Sequence, residues 1–474
     1  MRAVAGHLSD ATATARSDPA GATGLAHVAT VSFLASRAAP SLQFFFALGG
    51  GIALARASLR GGARTGYGTA IVAMLQTVAV MGPARVNAPL TQAITAPMMG
   101  RLEARGAHPA TELLACLALR LVHYAVMLAA FIYVILGGID EFTGSYETLT
   151  GWLGIVPQGA TAALAVTAAG QVLWAVMFSA IQVATYRRAL GRWPGANPPR
   201  DDASRAGAAA QPPGEDASRA GAAAQPPGDD APRAGAAAEP PGDDAPRAGA
   251  AAEPPGEDSP RAVSERGSAR FDPRAIVVAA LLASALLLAS TSWTLLIGVT
   301  AWLIPAWLLC RPDHDAVPLG LLLAGLLAFA ALSGGLLSGA ELELTLQRVL
   351  RAVLLVAVAT WMRAAAGPGG LRETFRRALC RVRALPSVRE ASAQLEGLDA
   401  GPRLVAAARA AAGRLSDVPL APAPLADAVI AWVATEAGGY RPGPGAAGTA
   451  LRLRAPDALL VALTFTPALA LVGG

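Results

Sequence analysis

Asp201–Gly214 reads DDASRAGAAAQPPG, and the same 14-residue unit returns at Glu215, Asp229 and Asp243 before a fifth copy decays after Glu257. A short period of this kind raises the possibility of a small solenoid. The unit, however, holds no large apolar residue, only alanine, and each copy carries Pro-Pro-Gly, which stops a helix. With nothing to bury, the entropy of ordering the chain is not offset. The repeat therefore predicts a disordered Pro/Ala-rich linker over 196–270, and the fold must be sought on either side of it.

Both sides are apolar. The 474 residues are 54% hydrophobic and 15% charged, with a mean hydropathy of +0.44, where a soluble domain carries about 25% charged residues. Residues 201–260 hold 12 of the 33 acids and 4 of the 38 bases, which leaves 34 basic against 21 acidic residues elsewhere. A hydrophobic, basic body fits a membrane protein whose cytoplasmic loops collect cations. Every basic residue is arginine. Without lysine no phosphate-binding G-x-x-x-x-G-K-[ST] loop exists, so any ATP must be hydrolysed by another chain. Cys116, Cys310 and Cys380 are far apart and indicate neither a disulfide framework nor a zinc site. The five histidines are scattered, and no nucleophile–base pattern occurs. No catalytic residue, metal or bound cofactor is expected.

Upstream of the linker, a polar tail over 1–22 lacks a signal-peptide core and is read as cytoplasmic. Six membrane segments follow, near 23–37, 41–56, 66–82, 88–100, 113–137 and 158–186. Arg56, Arg60 and Arg64 follow the second, Arg101 and Arg105 the fourth, and Arg187, Arg188 and Arg192 the sixth. Ile139–Gly151, after the fifth, carries Asp140, Glu141 and Glu147 and no base. That alternation places the N-terminus and the linker in the cytoplasm.

Downstream, spans are expected near 275–290, 292–310, 316–338 and 344–366. Arg363, Arg372, Arg376, Arg377, Arg381 and Arg383 gather after the fourth. The region 367–454 is too polar to span. Its amphipathic stretches Leu371–Arg383 and Val388–Leu398 are expected along the membrane surface. Ala455–Val472 returns to the bilayer. The expected fold is thus an all-α polytopic membrane protein. Two helical membrane bundles, 23–195 and 271–474, are joined by the linker.

The downstream half carries ordered landmarks. Asp272-Pro273-Arg274 precedes the apolar hairpin, and GGLRETFRRALCRVR (Gly369–Arg383) follows the fourth span. EASAQLEGLDAG (Glu390–Gly401) comes next, then TEAGGYR (Thr435–Arg441), then Leu451–Arg454 and Pro456-Asp457 before the last span. In this order they resemble the T component of energy-coupling factor (ECF) importers, the CbiQ-like family. That family has an opening DPR, a first coupling motif A-Q-x-A-R-G-L-D and a second, E-A-R-G-Y. Gln394, Gly397, Leu398 and Asp399 match the first; Glu436, Ala437, Gly439 and Tyr440 match the second. The resemblance covers about 200 residues. It implies that Gln394, Glu396, Gly397, Glu436, Gly438 and Gly439 form the coupling surface for separate ABC-type ATPase subunits.

Where the family has its coupling arginines, this chain has Glu396 and Gly438, one inverting the charge and one removing it. Such arginines make charge-assisted hydrogen bonds to the ATPases, and losing one costs ~2–5 kcal/mol at a buried interface. Either the ATPases carry compensating changes, or the chain is a T-like scaffold uncoupled from them. An ATP-independent permease is a further alternative.

Six spans fused to a T-like half suggest that the first half is a substrate-capture (S-component-like) domain. Leu48–Leu54 (LGGGIAL) permits close helix packing. Polar residues within spans are functional candidates: Gln76, Asn87, Gln92, His123, Tyr124, Gln171 and Trp174, with Gln182 nearby. With no carboxylate among them, they favour a neutral or anionic organic solute over a metal cation. Glu112 and Arg120 are expected to anchor the fifth segment at the interface. The sequence thus points to a transporter subunit of a bacterial inner membrane. Its expected partners are ATPases, the lipid bilayer and a small solute such as a vitamin, with no nucleic acid.

Overall fold

The computed structural model describes residues 19–83, 87–136, 138–151, 154, 158–193, 271–290, 292–310, 317–337, 339, 341–382, 384–398, 401–419, 421–442 and 453–468. The repeat linker lies outside these, as do the N-terminal tail before residue 19, Asp399 and the chain after residue 468. Among the described residues there is no strand. The helices are α1 (Pro19–Ala38), α2 (Gln43–Met81), α3 (Asn87–Ala104), α4 (Pro109–Ala130), α5 (Ile139–Gly151) and α6 (Ala160–Arg192), then α7 (Pro273–Ala289), α8 (Trp293–Cys310), α9 (Val317–Leu337) and α10 (Leu342–Arg381). The last four are α11 (Pro386–Glu396), α12 (Gly401–Ser416), α13 (Pro422–Gly439) and α14 (Ala455–Leu463).

Local chemistry sets several boundaries. α4 opens on His108, whose Nδ1 accepts from the Ala110 amide, with Pro109 at the first helical position. α7 opens on Asp272, whose carboxylate accepts from the Arg274 amide, followed by Pro273. Both are N-caps with a proline where no amide partner is needed. The two longest helices are bent at glycines with positive φ. Gly62 (φ 76) divides α2 between the predicted spans 41–56 and 66–82, and Gly367 (φ 66), before Pro368, divides α10 one residue after the predicted span 344–366.

The chain is an all-α polytopic membrane protein. Among the described residues, five helical segments are long and apolar enough to cross a membrane: Pro109–Tyr133, Ala160–Arg192, Trp293–Cys310, Val317–Leu336 and Leu342–Arg381. The first four turn large apolar side chains outward, among them Leu114, Val126, Leu173, Leu308 and Phe329. α7 is a shorter apolar helix. Protein covers α1 and much of α2 instead. Every residue from Thr23 to Ser36 of α1 and from Phe46 to Ser58 of α2 is buried, the signature of helices enclosed on all sides.

The parts before and after the linker meet on α2. Three successive glycines face three different neighbours. A Cβ on Gly49 would meet Val429 of α13, one on Gly50 would meet the Phe33 ring of α1, and one on Gly51 would meet Tyr186 of α6. α11 also packs on α2, and α12 on α1. The amphipathic stretches expected at the membrane surface pack on other helices. Leu371–Arg381 continues α10, and Val388–Leu395 of α11 turns its apolar stripe onto α2. Leu404, Ala408, Ala411 and Leu415 of α12 are likewise buried. Much of these stripes is buried against protein, while Val382 and Leu385 stay exposed. A second core gathers α7, α8 and α10 around Trp361, whose indole N–H donates to the Ala306 carbonyl at 3.1 Å.

Candidate functional site

α4 is built with its polar face inward. Its buried residues are Glu112, Cys116, Arg120 and His123, at i, i+4, i+8 and i+11, one stripe of a 3.6-residue helix. α6 answers with Ser179, Gln182 and Tyr186, and α3 adds Gln92 and Thr95. Gln182 is the hub. Its Oε1 accepts from Arg120 Nη2 and from the Cys116 thiol at 3.5 Å, and its Nε2 donates to Thr95 Oγ1 at 2.9 Å. One turn along α6, the Tyr186 hydroxyl donates to Gln92 Oε1 at 2.6 Å. Gly51 makes room for that hydroxyl, because a Cβ there would overlap it. Arg187 pairs with Glu112 at 3.3 Å and with Glu103 at 3.5 Å.

Of the residues expected to line a solute path, Gln92, His123 and Tyr124 belong to this region. Tyr124 lies 3.4 Å from Arg120 Nη1, and the His123 and Tyr124 rings are 6.0 Å apart. Gln76 is buried, but on the far side of the Gly62 bend. The Asn87 side chain is outside the described residues. Gln171 is three turns of α6 away from Gln182. Trp174 points outward, stacked on Phe178, which packs against Phe44. The expectation that Arg120 anchors at the interface is corrected: it is buried three turns into α4, on the stripe that α3 and α6 cover, while Glu112 is buried in the first turn beside Arg187.

Of the second group of expected residues, Gly397 meets the other coupling segment. The ends of α11 and α13 meet where the Tyr440 hydroxyl donates to the Gly397 carbonyl at 2.8 Å. Arg372 of α10 donates to the carbonyls of Leu395 and Leu398, which cancels unpaired acceptors at a helix C-terminus. His27 of α1 stacks on Tyr440 with centroids 4.3 Å apart. Gln394 is buried, while Glu396 is exposed beside Arg376 at 3.4 Å and Glu436 faces Arg414 at 3.8 Å. A Cβ on Gly438 or Gly439 would meet open space. The opening and closing landmarks also touch, since the Asp272 amide donates to Asp457 Oδ1 at 2.6 Å. Burial pushes the Asp272 carboxyl up, but hydrogen bonds from the Arg274 side chain and amide outweigh it and hold the group below its ordinary value.

Arg120, Cys116, Tyr186, Thr95 and Arg372 were not among the expected site residues. The signal for the first two was in the sequence, in the four-residue spacing of Glu112, Cys116 and Arg120. No protein family, curated protein or solved structure matches this chain. Fold and site together define a multi-span helical membrane protein with a polar interior between α3, α4 and α6.

Proposed function

We propose that the chain is a membrane subunit of an ECF-type ABC importer. The polar interior of the first part captures a small solute, and the ends of α11 and α13 couple to separate ATPases. The observation that carries this reading is the junction of Gly397 with Tyr440. Two segments 43 residues apart, each resembling one coupling motif, end at the same place, braced by Arg372. The N-terminus and linker then face the cytoplasm of a bacterial inner membrane, on the side of Arg187, Arg188 and Arg192. ATP is bound and hydrolysed by the partner chains.

The test is co-purification of nucleotide-binding subunits from the native cell with the full chain, wild type and E396R/G438R. Glu396 is exposed and Gly438 borders open space, so both arginines can be restored without repacking. Capture by the wild type supports the importer. Capture only by the double variant supports the second reading, an uncoupled T-like scaffold, which the two missing arginines favour. Capture by neither overturns the importer.

A further inference from the structure

We infer that the interior between α3, α4 and α6 binds a monoanionic organic carboxylate, with Arg120 as its counter-ion. This rests on reading the first part as the solute-capture domain and specifies the chemistry of the solute. The segment Pro109–Tyr133 is long and apolar enough to cross a membrane, and Arg120 stands at its middle, about 16 Å from its start at 1.5 Å per residue. That is too deep for its side chain to reach water at the membrane surface. A cation in such a place marks a functional site, with a partner to be named.

The described residues do not supply a charged partner. Arg120 is 5% exposed. Its guanidinium meets neutral acceptors, Gln182 Oε1 and the Tyr124 hydroxyl, and its Nε has no acceptor among the described residues. Glu112, two turns away on the same stripe, is already engaged by Arg187. Among the described residues no carboxylate lies within ion-pairing distance of Arg120. The outer face of α4, with Leu114, Val122 and Val126, is apolar. The helix thus turns an uncompensated positive charge inward.

The surroundings choose the anion. A guanidinium presents a planar fork of donors that matches a carboxylate in two parallel bonds. Gln182 Oε1 now occupies the place of one carboxylate oxygen, and rotation of its amide frees that place. Cys116, Thr95, Gln182, Tyr186 and Gln92 are all uncharged hydrogen-bonding groups. One buried cation therefore balances one negative charge. A phosphate dianion would leave excess charge buried, which is disfavoured.

The test is the thermal midpoint of the full chain in lipid nanodiscs at fixed ionic strength, titrated with sodium acetate, benzoate, phosphate or chloride. Acetate and benzoate are expected to raise Tm saturably, and phosphate and chloride to do neither. Arg120→Gln is expected to lose the carboxylate shift. Arg188→Gln, on an exposed pair with Asp427, is expected to keep the shift. Gln182→Glu supplies an internal carboxylate, so it is expected to raise Tm and abolish the response. Equal carboxylate shifts in Arg120→Gln overturn the inference, as does an equal response to phosphate or a Gln182→Glu variant of lower Tm that still responds. A carboxylate shift without ATPase capture keeps this inference and overturns the importer. ATPase capture without a shift does the reverse.

Discussion

The Tyr440 hydroxyl donates to the Gly397 carbonyl at 2.8 Å and ties the end of α13 to the end of α11. A neutral hydrogen bond of this kind contributes about 1 kcal/mol, so Tyr440→Phe is expected to lower stability by about that much. Arg372→Gln removes charge-assisted bonds to Leu395 and Leu398 and is expected to cost more, about 1.5–3 kcal/mol. Denaturant midpoints of the two variants in detergent check the order. Equal losses would mean that the arginine is not the main brace.

Gly51 and Tyr186 are coupled by space. A Cβ on residue 51 would lie inside the Tyr186 hydroxyl and 2.7 Å from the ring carbon that bears it. Gly51→Ala is expected to destabilise by about 1–3 kcal/mol, as overpacking does. Tyr186→Phe removes the overlapping oxygen but leaves the ring carbon, so the double variant is expected to recover part of the loss. A thermodynamic cycle measures the recovery. Additive losses would show that Tyr186 is not what Gly51 accommodates.

How much of this was legible beforehand follows from the physics of each element. The lipid-facing helices α4, α6, α8 and α9 announce themselves, because apolar length is a property of sequence alone. The linker boundary is legible for the same reason, through its lack of anything to bury. The enclosed position of α1 and α2 is not legible. Their glycines, threonines and serines give a weak apolar signal, and only the neighbours Val429, Phe33 and Tyr186 show what the glycines admit. Arg120 was misplaced because a charge near one end of an apolar run reads as an anchor until the helix start at Pro109 and the covering helices are known. Motif order singles out Gly397 and Tyr440, but their junction is a contact across 43 residues that motif order does not show.

The bend in α10 gives a cleaner backbone test. Gly367 has φ 66 and a Cβ there would touch nothing within 4 Å, so Gly367→Ala incurs conformational strain alone. The expected loss is about 1–2 kcal/mol. Gly438→Ala, also in open space but without positive φ, is expected to be near neutral or slightly stabilising, since alanine favours a helix. Thermal unfolding of the two variants in parallel distinguishes them; an equal response would exclude the φ of Gly367 as the cause.

Asp272 predicts an acid limb in stability. Its carboxyl caps α7 and bonds Arg274, and its folded value is held below the usual aspartate value of about 3.9. A depressed carboxyl contributes stability that is complete above the unfolded value and is lost as pH falls through the folded one. The expected loss therefore begins below about pH 4. Asp272→Asn keeps a capping oxygen but carries no charge, so it is expected to flatten this limb and leave the neutral-pH cap largely intact. Asp272→Ala is expected to cost about 1 kcal/mol at neutral pH. Unfolding midpoints between pH 3 and 7 in detergent, a range set about the usual carboxylate value, check both; an unchanged acid limb in the asparagine variant would assign it to other carboxylates.

Among the described residues, three ion pairs at two sites join the parts before and after the linker, and burial separates the expected weights of the two sites. Arg348 of α10 meets Glu141 of α5 at 3.0 Å, with the arginine side chain 7% exposed. Asp427 of α13 meets Arg188 and Arg192 of α6 at 2.7 and 2.9 Å, with all three side chains at least 40% exposed. Exposed pairs contribute about 0–1 kcal/mol and weaken with salt. Removing one partner of a fully buried pair costs about 3–5 kcal/mol, because the other charge is stranded. Glu141 is partly open, so Glu141→Gln is expected to fall between those limits, about 1–3 kcal/mol, with little salt dependence. Asp427→Asn is expected to change stability by less than about 1 kcal/mol, and that difference is expected to vanish in high salt. Midpoints of both variants at low and high sodium chloride measure the contrast. The same salt response in the two would mean that Arg348 is solvated in the membrane-embedded protein and that its pairing with Glu141 does not hold α10 to α5.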